Sequence, residues 1–373
     1  MHMGKKVIAF LLSILLIFLI LGYIRDEKGR RVTPEQKKEF EKLPYYKNGK
    51  FFNPYKPIEG YKNTSPKEEN VETLNLFKML WKLRKIKKVK INKVELSIKD
   101  FEQEPDDFSV RWLGHAMVLL EASNKRILID PVFGSPSPIP FIVKRNTKAP
   151  LKRKYLKNID YILITHNHYD HLERKTIQKF RKTSKFIVPL GVGVVLEGWG
   201  VDKNRITELG WGDQVIIDDN LKITAEPAIH MSNRWINDFN ETLWNSYVIQ
   251  TNKSNIFCAG DGTYGEHIDM IAQKYKNFDI AMIESDAWNA SWKYMHMFTR
   301  ESIEVIKKLN AKYLLPVHWG IFDLGMHDFD LSIHMLEDEA KNAGLYDKLL
   351  LPAMGEKVLF DKDNNAKYTI KSL

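Results

Sequence analysis

One cysteine in 373 residues, Cys258, leaves no second thiol for an internal disulfide and none near the amino terminus for lipid attachment. In the strand-like run Ile256-Phe-Cys-Ala259 it reads as a small buried hydrophobe, and it says nothing about compartment. Acidic residues are missing from another stretch: eight Lys or Arg lie between Lys78 and Lys93 with no Asp or Glu among them. No internal repeat of short period is present. What the chain does have is a globular composition, 44% hydrophobic and 28% charged, with ample material for a core. Its formal net charge of +10 matters less than the uneven spread of that charge.

Lys5-Lys6 precede an apolar run from Val7 to Ile24, a borderline length for crossing a hydrocarbon core of ~30 Å. The expectation is an uncleaved membrane anchor over residues 1–25, with the domain that follows outside the cytoplasm. A cleaved signal segment competes with it, although no small-x-small site follows the run, and a buried helix is the third reading. Residues 26–100 read as a polar arm ending in a basic helix. In the arm, Phe51-Phe-Asn-Pro-Tyr55 is a hydrophobic hook expected to pack on the main domain. Over Thr73–Lys93, Leu76, Leu80 and Leu83 recur at helical spacing with Phe77 and Trp81 alongside. Such a helix suits an anionic membrane surface, or merely a lysine-rich solvated face.

The main domain is expected over residues 101–373. Strand-like runs cover Val118–Glu121, Arg126–Ile129, Tyr161–Thr165, Phe186–Pro189, Val215–Ile217, Leu221–Ala225, Ser246–Ile249, Ile256–Ala259 and Ile280–Ile283. Helical patterns cover Glu173–Lys182, Gly191–Glu197, Gly265–Tyr275, Arg300–Leu309 and Leu331–Ala343. Strands in series followed by helices, twice over, predict an α/β sandwich rather than a doubly wound sheet.

The chemistry concentrates in Ile164-Thr-His-Asn-His-Tyr-Asp-His-Leu172. A strand ending near Thr165 puts His166 at the start of a loop, where His166 and His168 reach one centre only if the backbone turns. Asp170 is placed to cap the next helix, with His171 facing away from it, and two residues aimed apart invite two ions. This differs from H-E-x-x-H, where the two histidines share one helix face. Further ligands must come from downstream. His230 follows Ile223–Ile229, Asp261 follows Ile256–Gly260, and His318 follows Tyr313–Val317, each at the carboxyl end of an apolar run.

His166-Asn-His168-Tyr-Asp170-His171, Ala228-Ile-His230, Gly260-Asp261 and Pro316-Val-His318-Trp-Gly resemble the metal loops of the metallo-β-lactamase superfamily. Trp112-Leu-Gly-His-Ala116, Ile129-Asp-Pro-Val132, Ser232-Asn-Arg234, Leu243-Trp244, His318-Trp-Gly-Ile-Phe322 and Phe52-Asn-Pro54 are similar, more narrowly, to the branch that contains N-acylphosphatidylethanolamine-hydrolysing phospholipase D. The resemblance spans roughly residues 50–330 with motif order intact. It departs from the branch at Gly262-Thr263 and at Met117, neither of which is a ligand position.

The resemblance implies an αββα sandwich, two mixed β-sheets flanked by helices. It implies that His166, His168 and His230 bind one Zn²⁺, that Asp170, His171 and His318 bind a second, and that Asp261 bridges them. With no cysteine ligand, the donor set also suits iron or manganese. Asp170 and His296 are the expected catalytic residues, His296 stabilising phosphoryl oxygens or protonating the leaving group. His115 and Asp130 are expected to line the pocket or to orient a ligand from behind, and Trp288–Phe298 is either a lipid-facing lip or ordinary packing.

The implied function is a phosphodiesterase of the phospholipase D type, using a metal-bridging hydroxide on N-acylphosphatidylethanolamine-like membrane phospholipids. The same core acting on a carboxylic ester, a lactone or a soluble phosphodiester is the alternative. A non-enzymatic envelope protein that keeps the metals for stability is a third reading. The expected partners are a membrane surface and its phospholipid. Nucleic acid is not expected, because the positive charge precedes the main domain.

Overall fold

The computed structural model describes residues 22–58, 86–138, 143, 145–289, 292, 294–369 and 373. The described chain opens with the arm. Thr33 caps helix α1 (Pro34–Phe40), and Gln36 reaches back to close a capping box. The hairpin β1 (Tyr46–Lys47) and β2 (Lys50–Phe51) turns at Asn48-Gly49, both at positive φ, as a two-residue hairpin requires. Phe40, Tyr45, Tyr46 and Phe51 bury against Val194, Ala228, Leu243 and Trp244 of the main body.

The first large sheet contains β3 (Phe108–Gly114), β4 (Met117–Ala122), β5 (Lys125–Ile129), β6 (Tyr161–Leu163), β7 (Lys185–Pro189) and β8 (Ile206–Leu209) in that order. The second contains β9 (Gln214–Asp218), β10 (Leu221–Glu226), β11 (Ser246–Thr251), β12 (Asn255–Cys258), β13 (Phe278–Glu284) and β14 (Ala311–Val317). Two short strands, β15 (Val358–Phe360) and β16 (Ala366–Lys367), extend the first sheet beside β3. Each large sheet is mixed, antiparallel on one side and parallel across β5–β8 or β12–β14.

Alternation along the strands builds the layers. In β4, Val118, Leu120 and Ala122 face the core between the sheets, with Ile223, Tyr247 and Ile249 of the second sheet in the same cluster. Met117 and Leu119 face the other way, into a core with Ile177 and Phe180 of helix α2 (Arg174–Phe180) and Val195 and Leu196 of helix α3 (Gly193–Gly198). Helices α4 (Glu266–Lys274), α5 (Thr299–Lys308) and α6 (Leu331–Asn342) pack on the second sheet through Ile268, Ile303, Ile306 and Leu336. The result is the expected αββα sandwich.

Three expectations need correction. The apolar run Ile223–Ile229 that leads to His230 is strand only as far as Glu226, where β10 stops because Pro227 has no N–H for a ladder. Residues 86–93 form no helix, and the rest of the basic helix lies outside the described residues. Their backbone is committed elsewhere, with Val89 O accepting from Asn146 Nδ2 and Asn92 O accepting from Met354 N. The anchored, extracytoplasmic placement is also not supported. Among the described residues no helix is long and apolar enough to cross a membrane, and the apolar run as far as residue 21 lies outside them. The chain just after it carries Arg25, Asp26, Glu27 and Lys28 and docks on the body: Trp199 Nε1 donates to Asp26 O at 2.8 Å.

Candidate metal centre

Turns at strand ends deliver the site. Asp130 follows β5, His166 follows β6, Asp261 follows β12, Glu284 ends β13 and His318 follows β14. His115 sits in the β3–β4 turn. Three of these turns hold a non-glycine residue in the left-handed region: His115 at φ 56°, Asp130 at 42° and His318 at 73°. Such strain persists only where surrounding bonds over-determine it, and it collects at functional sites. Beside Asp261, Gly260 has φ 62°, and a Cβ there would lie 3.0 Å from Asn245 O and Thr165 Cβ, so the turn has no room for a side chain.

Two groups of ligand atoms converge. In the first, His166 Nε2 lies 2.8 Å and His230 Nε2 3.3 Å from His168 Nδ1. The outward nitrogen of each ring is paired: His166 Nδ1 with Thr165 Oγ1, His168 Nε2 with Asn233 Oδ1, and His230 Nδ1 with Met295 O. Those bonds turn the inward nitrogens into lone-pair donors facing one point. In the second group, Asp170 Oδ2 lies 3.4 Å from His171 Nε2 and 3.3 Å from His318 Nε2. Asp261 Oδ2 stands between the groups, 3.0 Å from His171 Nε2, 3.1 Å from His318 Nε2, 3.9 Å from His166 Nε2 and 4.0 Å from His230 Nε2.

The second group tests whether the residues fit a cation. His171 Nε2 and His318 Nε2 are buried without an aligned hydrogen bond despite those short contacts. His171 Nδ1 stands 2.8 Å from Asp130 Oδ2, which turns Nε2 toward the carboxylate oxygens of Asp170 and Asp261. Nitrogen and oxygen so placed require positive charge between them, from protons on the rings or from a cation that replaces those protons. The donor set fits a metal ion.

Charge follows the same division. Burial holds His166 and His230 well below the usual imidazole range and His168 down to about 4. Burial also acts to lower His171 and His318, but the Asp261 carboxylate overrides it, lifting His171 well above its usual range and His318 to about 10. Burial would raise Asp170 and Asp261, yet the His171 charge holds both well below the carboxylate range.

The sequence-expected residues all arrive here, some in unexpected roles. Asp170 does not cap α2, whose N-cap is Glu173, and it does not point away from His171. The two converge because the backbone turns within the loop, His171 N and Leu172 N both donating to His168 O. Asp130 accepts Thr165 N, Thr165 Oγ1 and His171 Nδ1, so one carboxyl fixes rings of both groups. His115 Nε2 donates to Asp170 at 3.0 Å, its ring packed on His318 and Phe322. His296 Nδ1 lies 2.7 Å from Glu284 Oε2 and 3.9 Å from Asp261 Oδ2. Trp288, Met297 and Phe298 are buried and serve as packing, and among the described residues of that stretch Tyr294 is the one exposed large hydrophobic. Cys258 is buried, its thiol pushed up to about 12.

Sequence reasoning missed Glu284, Asn233 and Arg234 as parts of the site. Glu284 spends Oε1 on Gly262 N and Met297 N and Oε2 on His296, so it orients the ring and the Asp261 turn together. The Arg234 guanidinium is buried over the Tyr169 ring and donates to Asn167 O and Leu172 O, gripping the metal loop at two points.

Residues 125–319, more than half of the chain, match the family model described as a Beta-lactamase superfamily domain. The chain belongs to the metallo-β-lactamase superfamily. Among its relatives in that superfamily, an uncharacterised protein of Mycobacterium tuberculosis is 33% identical over 236 residues, 61% of this chain. The match spans 63% of that relative's length, so this chain covers less than two thirds of it. An N-acyl-phosphatidylethanolamine-hydrolyzing phospholipase D of Caenorhabditis elegans is 29% identical over 62% of this chain and 69% of its own. A metallo hydrolase from the archaeon Ignicoccus hospitalis superposes with a TM-score of 0.53 at 21% identity, over 68% of this chain and 98% of its own, which shows the shared fold. This chain's homologues include proteins named as phospholipase D and as a metal-dependent hydrolase.

Proposed function

We propose that this chain is a dinuclear metal-dependent phosphodiesterase of the phospholipase D type, acting on N-acylphosphatidylethanolamine-like membrane phospholipids. The observation that carries the dinuclear reading is the single oxygen Asp261 Oδ2, within 4.0 Å of imidazole nitrogens from both groups. His166, His168 and His230 would hold one ion, Asp170, His171 and His318 the other, with Asp261 shared; zinc suits this donor set. When bound, such ions supply Lewis acidity that makes water a nucleophile near neutral pH and offsets phosphoryl charge.

The chain's own groups do the rest. His296 is part-buried beside the centre, its Nδ1 3.9 Å from Asp261 Oδ2. Glu284 takes its Nδ1–H, leaving Nε2 as the atom that exchanges a proton. Burial would lower this imidazole, but the Glu284 carboxylate raises it, so it carries a proton to the departing alcohol. The similarity to the Caenorhabditis elegans phospholipase supports the lipid substrate.

The deciding assay offers the purified protein phospholipid vesicles containing N-acylphosphatidylethanolamine and, separately, a chromogenic phosphodiester. Release of the N-acylethanolamine head group supports the reading; turnover of the diester alone contradicts the lipid assignment.

Metal loading should depend on pH in a divided way. In the metal-free protein His171 and His318 hold protons at neutral pH, whereas His166, His168 and His230 do not. Metal entering the second group must displace those protons, so its affinity falls by up to roughly a hundredfold per unit drop in pH, while the first stays nearly flat over roughly pH 5–8. Calorimetric zinc titrations in buffers of different ionisation heat measure the protons released. Equal pH dependence at both steps would contradict the assignment.

A further inference from the structure

Ile236, 89% exposed, is the most exposed large apolar side chain among the described residues. It lies six residues after His230, on the loop that follows that ligand. Phe239 in the same loop is 42% exposed and Phe52, next to the arm hairpin, 38%. Scattered exposed apolar residues are ordinary, but these share one rigid base. Asn240 N donates to Ser232 O, Ser232 N donates to Asn240 Oδ1, and Arg234 N and Trp235 N both donate to Asp238 Oδ1. Phe51 N donates to Asn240 O, placing the hairpin against the loop. The backbone hydrogen bonds are therefore spent on holding Ile236 and Phe239 outward, with Trp235 half-buried beside them, rather than on folding the loop in.

Cations from the arm stand against the tip. Lys28 Nζ stands 5.8 Å from the Trp235 ring, Lys50 Nζ stands 5.7 Å from the Phe239 ring, and Arg31 donates to Asn237 O. The acidic residues of the loop, Asp238 and Glu241, are buried, the first on backbone amides and the second paired with Arg31 and Lys37. An apolar tip ringed by cations matches an anionic lipid surface, where side chains enter the acyl boundary and lysines meet head groups. The loop is also continuous with the metal centre. Asn233, two residues before Trp235, bonds His168, and Asn53, beside Phe52, donates to His230 O at 2.8 Å.

We propose that Trp235, Ile236 and Phe239, with Phe52, form the face on which this chain docks onto an anionic phospholipid surface. Docked there, the partly exposed His168 side of the centre faces the head groups. The proposal rests on the lipid reading above and adds a place of contact that is separate from any apolar run at the amino terminus.

The test uses the full chain carrying Ile236→Cys with an environment-sensitive fluorophore, the native Cys258 being buried. Phosphatidylethanolamine/phosphatidylglycerol vesicles with brominated acyl chains should blue-shift and quench the probe, and phosphatidylcholine vesicles should do so weakly. Lys28→Ala and Lys50→Ala should each weaken the apparent vesicle affinity roughly fivefold. Ile236→Asp with Phe239→Asp should lose vesicle hydrolysis while keeping turnover of the soluble diester, which also shows that the variant folds. A probe that stays in water while phospholipid is hydrolysed overturns the docking face. A probe that inserts with no phospholipid hydrolysed leaves the face standing and removes the substrate reading instead.

Discussion

Asp261→Ala is expected to strip both metal ions and to lower kcat/KM by at least about a thousandfold, the several kcal/mol that such ions contribute to a phosphoryl transition state. The argument rests on where one oxygen lies. Among the described residues, Oδ2 is the carboxylate oxygen that comes within 4.0 Å of His171, His318, His166 and His230 together. Removing it takes a ligand from each group and takes away the charge that raises His171 and His318. Asp261→Asn keeps an oxygen and the volume but not the charge, and should keep part of the metal. Elemental analysis beside thermal unfolding separates metal loss from misfolding. Full metal content in Asp261→Ala would contradict the shared-ligand assignment.

His296→Ala, in contrast, should keep the metal and lose kcat by about 10²–10⁴-fold, the usual range for one general acid. Its Nδ1 bonds Glu284 rather than any ligand, so its loss leaves both groups intact. Glu284→Gln refines the test through pH. The carboxylate raises His296, so removing its charge lowers that imidazole toward its burial-depressed value. Because the protonated ring is the active form, activity is lost as pH rises through its pKa, and the alkaline limb of kcat should move to lower pH. An unmoved limb in Glu284→Gln, or full rate in His296→Ala, would remove the acid role.

Much of the candidate site was legible because its proposed ligands obey a placement rule. Asp261 and His318 each follow a buried parallel strand of the second sheet, and His166 follows one in the first, so apolar runs ending in His or Asp pointed at one rim. Glu284 ends β13 in the same way and was missed, because a glutamate in that place was not weighed as a ligand's partner. Arg234 was noticed only as part of a resemblance. Its grip on Asn167 O and Leu172 O is a contact across more than sixty residues, which no local pattern encodes. The convergence of Asp170 and His171 is hidden for a related reason: neighbouring residues at a helix start are expected to face apart, but this stretch turns before α2 begins. The sandwich itself was readable from period-2 runs, as in β4, whose alternate residues feed two different cores. Function at the surface was the hardest to read. An exposed Ile236 looks like any apolar residue in sequence until its loop is seen pinned beside the metal centre.

The account stands most directly on metal stoichiometry. Full-length protein purified in the presence of zinc, then freed of loosely held ions by gel filtration at neutral pH, should carry about two equivalents by elemental analysis, as a shared-carboxylate pair of sites requires. A value near zero would contradict the centre, and a firm value of one would contradict the sharing of Asp261.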